Sequence, residues 1–278
     1  MRTSSFAVGG AATAAPPTVV LLHSSASSAR QWQALREALQ ADFRVLAVDL
    51  HGHGARPPWP ADAPFALADD AALVEPLLRD APVHLVGHSY GAAVALKAVA
   101  LYPRRVLGVV AYEPVLFALL RDDAAPSEPL RAVVTAAEAV SDALRRSDEH
   151  AAAHRFVDFW SGAGAWRALD AGRQQAIAAR MPSVLRHFDA LFGESLVAEL
   201  AVLTMPMLFL TGTDTVAAMR RIGELLRAAL PRAQHELVAG MNHMSPVTQP
   251  AAVNARIEQF LRTQFRRRAA LRPQAEFI

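Results

Sequence analysis

Residues 83–91 read Val-His-Leu-Val-Gly-His-Ser-Tyr-Gly, and Ser89 is the side chain best placed to do chemistry. An apolar run of strand composition, residues 83–86, leads into Gly87-His88-Ser89-Tyr90-Gly91. An Ala-rich stretch with helical spacing, residues 92–101, follows at once. A Gly-x-Ser-x-Gly turn between strand and helix is so tight that its central residue is strained and its hydroxyl stands exposed at the tip. Gly87 and Gly91 supply positions without a Cβ where the two arms of the turn nearly meet. The N-terminus of the helix would point unpaired N–H groups at an oxyanion formed on Ser89. A serine hydroxyl is a poor nucleophile until a base takes its proton, so a histidine must come within hydrogen-bond reach, oriented in turn by an acid.

The elements that position these groups alternate. Residues 18–22, 44–48, 83–86, 106–112 and 206–210 are mostly apolar runs of strand length, residues 235–238 read as a last short strand, and residues 6–9 suggest a further edge strand. Helical patterns cover residues 29–40, 67–78, 92–101, 217–230 and 251–265. Unbroken apolar strands alternating with helices predict an α/β fold with a mostly parallel central sheet. From residue 115 to 203 the rhythm stops. This Ala- and Arg-rich stretch shows only helical segments, with breaks expected at Ser161-Gly162-Ala163-Gly164 and at Pro182.

Composition narrows the classes. The 278 residues are 53% hydrophobic, enough for one large domain carrying an insert. The absence of cysteine excludes disulfides, thiolate metal sites and a cysteine nucleophile. A net charge of +2 gives no electrostatic case for nucleic acid, and Arg266-Arg267-Arg268 reads as the solvated end of a helix. No stretch has the length of a membrane span and residues 1–10 do not read as a signal peptide, so a cytoplasmic location is expected. Basic residues are almost all Arg, with Lys97 the lone lysine, a usage that suggests a GC-rich, bacterial genome.

Taken together, the apolar strand ending in His23, the Asp49-Leu50-His51-Gly52-His53-Gly54 turn, the serine turn and the Gly240-Met241-Asn242-His243 segment resemble the α/β-hydrolase family, in its order and over nearly the whole chain. Trp32 also sits where that family often has an aromatic. The resemblance implies a core from residues 1–114 and 204–278 and a helical cap from residues 115–203 over the active site. It makes Ser89 the nucleophile and Ser25 and Tyr90 the donors of the oxyanion-hole amides, although His23-Ser24 replaces the usual His-Gly of that loop.

Of the ten histidines, His243 follows the last strand and completes the order Ser, acid, His that this fold uses. His88 is expected to point away from the nucleophile's side. His23, His51 and His53 read as supports of their loops, His84 and His235 lie toward strand starts, and His150, His154 and His187 fall in the cap with no motif to place them. Two carboxylates compete for the acid. Asp214 follows the usual strand, but the family's Gly-x-x-Asp position holds Thr215; Glu113 ends the strand after the serine helix, where some members carry their acid.

The resemblance implies a cofactor-independent serine hydrolase acting on a small molecule, first of all a carboxylesterase cleaving a small or medium apolar ester. Ser89 argues against dehalogenase and epoxide-hydrolase chemistry, which need a carboxylate there. Met244, where carbon–carbon hydrolases often have Trp, argues against those. Carbon–carbon or thioester hydrolysis and perhydrolysis on the same scaffold stay open, as does a slow-turnover sensory protein. No metal is called for. Trp160 and Trp166, with Phe156, Phe159, Phe188 and Phe192, are expected to line an acyl pocket floored by Met244. The Arg-rich tail leaves a homodimer open.

Overall fold

Five-residue runs such as Thr-Val-Val-Leu-Leu have no polar face to give to water, so they are stable only where both faces are covered. The computed structural model describes residues 16–123 and 128–270, and it uses these runs in that way. The strands are β1 (Thr18–Leu22), β2 (Arg44–Val48), β3 (Val83–His88), β4 (Val106–Tyr112), β5 (Met207–Gly212) and β6 (Gln234–Val238). They form one six-stranded sheet in the order β2-β1-β3-β4-β5-β6, with every neighbouring pair parallel. The edge strand expected over residues 6–9 lies outside the described residues.

Successive side chains on a strand point to opposite faces, and the core divides accordingly. Val20 and Leu22 of β1 and Leu85 of β3 join a cluster with the serine helix, Tyr90–Leu101, and with Ala217–Ala229. Val19 and Leu21 of β1 and Val86 of β3 join the opposite cluster, with Trp32, Leu35 and Leu39 and with Ile257, Phe260 and Leu261 of Pro250–Ala270. Strand starts and ends therefore lie on opposite rims, and the loops leaving the carboxyl ends share one rim.

Register places the chemistry. His88 of β3 pairs with Tyr112 of β4, so Ser89 and Glu113 leave adjacent strands at the same level. Gly212 of β5 pairs with Val238 of β6, which brings the loops carrying Thr215 and His243 to the same rim.

Two helices differ in detail from the periodicity. Residues 29–40 begin as a 3-10 turn, Ala29–Trp32, before Gln33–Leu39. Residues 67–78 start as an α-helix, Leu67–Ala71, then tighten to a 3-10 helix, Ala72–Leu78, that contains Pro76. Between β4 and β5 the described residues form only helices and connections, including Glu128–Arg145, Glu149–Ser161, Ala171–Ala178 and Met181–Gly193. The expected helix break falls at Gly162 and Gly164, both at positive φ. Pro182, expected to interrupt a helix, instead opens Met181–Gly193 from its first turn, where a missing N–H costs nothing.

Candidate active site

Ser89 caps the serine helix with φ 56° and ψ −119°, a conformation an L-residue holds only when its surroundings enforce it. Enforcement comes from both sides of the turn. A Cβ on Gly87 would collide with the backbone of Gly91 and Ala92, and one on Gly91 with the Leu22 and His23 carbonyls of β1's end. The Ser89 amide is held by the Tyr112 carbonyl at 2.9 Å.

Ser89 Oγ lies 2.9 Å from His243 Nε2, and His243 Nδ1 lies 2.7 Å from Glu113 Oε2. Glu113 is buried at the end of β4, with φ 44°. Its Oε1 accepts from the Gly212 amide at 2.8 Å, and its Oε2 also accepts from Thr215 Oγ1 at 2.8 Å. A carboxylate only accepts, so the His243 proton sits on Nδ1 and Nε2 is left to accept from the serine hydroxyl.

Asp214, the rival carboxylate, is not part of this chain. It is exposed, its Oδ1 accepts from the neighbouring Thr213 hydroxyl at 2.9 Å, and its amide donates to Met241 O at 2.8 Å. The Gly-x-x-Asp position is filled by Thr215, which supports Glu113 rather than replacing it. A hydroxyl at the usual acid position was the available sequence signal that the carboxylate facing His243 comes from β4.

The His243 loop is fixed from below. Tyr112 Oη donates to Asn242 O and His88 Nε2 to His243 O, both at 2.7 Å. His88, expected to point away, thus supports the His243 loop, with its ring centroid 5.2 Å from that of His243. Gln31 donates to His88 Nδ1 at 3.0 Å and accepts from Ser24 N at 3.1 Å and Ser24 Oγ at 2.9 Å, so one relay joins the His23–Ser28 loop to the His243 loop. Burial, then the neighbouring His243, holds His88 well below the usual histidine range.

His23 and His53 fix backbone. Leu50 N donates to His23 Nε2 at 3.1 Å and Ala26 N to His53 Nε2 at 3.0 Å. Burial is the main cause that lowers His23 to about 3 and His53 to about 4, so both stay neutral.

Ser89 opens on a narrow, partly open cavity lined by apolar side chains, among them Val115, Phe117, Phe156, Trp160 and Phe188, together with Ser25 and His187. The Ser25 and Tyr90 amides donate no hydrogen bond within the described residues. Trp160 stacks over His243, its ring centroid 4.1 Å away and the planes at 26°. Phe159, Trp166, Phe192 and Met244, expected in the pocket, are not among its lining residues. The Trp166 amide is tied to Asp158 at 2.8 Å, and its ring sits against His150 and His154. Met244 follows His243 in a turn pinned by Asn242 Oδ1 and is half-buried. Val115, Phe117, Val184, His187 and Leu191 had no sequence signal, because nothing local says which face of an inserted helix meets the serine. Among the described residues no group of histidine and acidic side chains could hold a metal ion, and no helix is long and apolar enough to cross a membrane.

A parallel sheet with a strained serine at a strand–helix turn and a histidine beyond the last strand defines an α/β-hydrolase architecture. Residues 19–256 match the model of the alpha/beta hydrolase family, and the chain belongs to that family. It is a hydrolase with esterase relatives. The chain is 28% identical to the pimeloyl-[acyl-carrier protein] methyl ester esterase of Edwardsiella ictaluri over 245 residues, 86% of this chain and 90% of that one. It is 31% identical to lipase LipV of Mycobacterium tuberculosis over 139 residues, about half of each chain (49% and 51%). The enol-lactonase of Burkholderia xenovorans LB400 shares the fold, with a TM-score of 0.70, 21% identity and coverage of 91% of this chain and 94% of that one.

Proposed function

We propose that this protein is a cofactor-independent serine carboxylesterase that cleaves a small apolar ester through an acyl-Ser89 intermediate. The observation that carries the reading is the unbroken hydrogen-bond chain from Ser89 through His243 to Glu113, opening on an apolar cavity.

His243 Nε2 takes the Ser89 proton as Oγ attacks the ester carbonyl, and Glu113 stabilises the imidazolium that forms. The developing oxyanion is received by the uncommitted amides of Ser25 and Tyr90, the latter at the start of the serine helix. Collapse of the tetrahedral species expels the alkoxide, protonated by His243. Water, activated by the same imidazole, then attacks the acyl-enzyme through a second oxyanion and releases the acid. The Trp160 face over His243 adds cation–π attraction to the imidazolium and shields it from bulk water.

Residues 115–203 act here as the cap, on a core of residues 1–114 and 204–278. Phe156, Trp160, Val184 and Phe188 from the cap roof the acyl site. Apolar side chains fill most of the space beside Ser89, which favours a short acyl group.

The test is hydrolysis of p-nitrophenyl esters of increasing acyl length by wild type and Ser89→Ala in parallel. Wild type should prefer short chains, and the variant should lose on the order of a millionfold in kcat. Full turnover by Ser89→Ala, or none by folded wild type on any ester, would overturn the proposal.

A further inference from the structure

Ser25 and Tyr90, whose amides receive the oxyanion in the proposed reaction, also meet at one other side chain. His187, from the inserted helix Met181–Gly193, is buried on the cavity wall. Its Nδ1 lies 2.8 Å from Ser25 Oγ. Its ring lies flat on Tyr90, with centroids 3.6 Å apart and planes within 4°. The far end of Tyr90 is anchored too, because its hydroxyl donates to Asp70 Oδ2 at 2.9 Å. That oxygen stands 3.9 Å from His187 Nε2, while Asp70 Oδ1 accepts from His51 N at 3.0 Å and lies 2.7 Å from His51 Nδ1. The His53 ring also stacks with that of His187 at 5.1 Å, and His53 holds the Ala26 amide, one residue beyond Ser25.

This arrangement selects a protonation state. Burial, then the neighbouring His53, keeps His187 neutral. Nε2 has no hydrogen-bond partner among the described residues, and the Asp70 carboxylate 3.9 Å away attracts a proton there, which leaves Nδ1 to accept from the Ser25 hydroxyl. The hydroxyl is thereby committed to His187, whereas the Ser25 amide stays uncommitted.

We infer that His187 is the positioning residue of the oxyanion hole, clamping the Ser25 loop by a hydrogen bond and Tyr90 by stacking. The inference rests on the acyl-serine reading and adds to it that transition-state stabilisation depends on the seating of the inserted helix. The loop is pinned on either side of Ser25, by Gln31 at Ser24 and by His53 and Arg180 at Ala26, and His187 is the side chain that holds Ser25 itself. Misplacing a catalytic donor by about 1 Å costs on the order of a hundredfold, and losing one outright ~10²–10³ in kcat.

The test compares His187→Ala, His187→Asn and Ser25→Ala in the full chain, on a p-nitrophenyl ester that wild type turns over. The second readout is inhibition by an alkyl trifluoromethyl ketone, which forms an oxyanion-bearing adduct on a catalytic serine. His187→Ala should lower kcat by about 10- to 100-fold with KM nearly unchanged, and should weaken the ketone by a similar factor, as expected for an interaction realised in the transition state. The Asn side-chain amide can take the place of Nδ1, so His187→Asn should recover part of the loss. Ser25→Ala should show the same pattern more mildly.

A folded His187→Ala with wild-type kcat would overturn the inference, as would a loss confined to KM with ketone inhibition intact. Asn performing no better than Ala would also overturn it. Should His187→Ala fail to fold, unchanged kcat and inhibition in both remaining variants would do so. Failure of the serine reading is distinguishable, because it appears as turnover that survives Ser89→Ala.

Discussion

Replacing Glu113 by Gln tests the acid with almost no change of volume. Every hydrogen bond to this side chain is donated to it, from His243 Nδ1 at 2.7 Å and from Thr215 Oγ1 and Gly212 N at 2.8 Å. An amide must turn its NH2 group toward one of these donors. Facing His243, it forces the imidazole into the tautomer with a proton on Nε2, which cannot accept from Ser89. Facing Gly212, it leaves two buried donors opposed, at a cost of ~1–3 kcal/mol, and the imidazolium still lacks its counter-charge. The wrong-tautomer case costs about ten-thousandfold in kcat, or ~5.5 kcal/mol of transition-state stabilisation. Asp214→Asn should stay within about 0.5 kcal/mol of wild type, because that side chain is exposed and bonds only its neighbour's hydroxyl. The assay is steady-state hydrolysis of a short p-nitrophenyl ester by both variants, with thermal melts to establish folding. Equal, mild losses in the two, or a larger loss in Asp214→Asn, would refute the assignment of Glu113.

Two further outcomes follow from the same geometry. Thr215→Val removes a bond donated to the buried Glu113 carboxylate while keeping its shape, and should lower kcat about tenfold, since bonds to charged groups contribute ~1.5–3 kcal/mol; an unchanged kcat would separate Thr215 from the site. Stability should fall with acid: burial first, with Arg268 adding at His84 and His53 at His23, lowers His23 to about 3 and His53 and His84 to about 4. Below about pH 6.5 the unfolded chain takes up protons that the folded one refuses, so each of these groups removes up to ~1.4 kcal/mol per pH unit as pH falls toward its folded value. Thermal unfolding between pH 7.5 and 5 reads this directly, and a Tm that does not drop over that range would contradict neutral burial of these rings.

Much of this chain is written in local pattern. The parallel sheet is legible because Thr18–Leu22 and Val106–Tyr112 are continuous, mostly apolar runs, and burial on both faces leaves no polar alternation to obscure them. The position of Ser89 at a strained tip is likewise local, since the steric need for Gly87 and Gly91 lies within a single turn. Sequence order alone put His243 after the last strand.

Tertiary structure decided the rest. Whether Glu113 or Asp214 reaches the imidazole depends on the register of β4 against β5, where Tyr112 pairs with Leu210, and on a hydroxyl at Thr215 rather than a carboxylate. Trp160 enters the cavity and Trp166 does not because the helix and the turn that carry them present different faces to the serine. His187 gave no signal at all. Its partners Ser25, Asp70 and Tyr90 lie far away along the chain, and contacts made by packing an inserted helix against other helices and a loop leave no short-range spacing to read. Sequence determines which groups are available and the order in which strands deliver them; packing alone determines which of them meet.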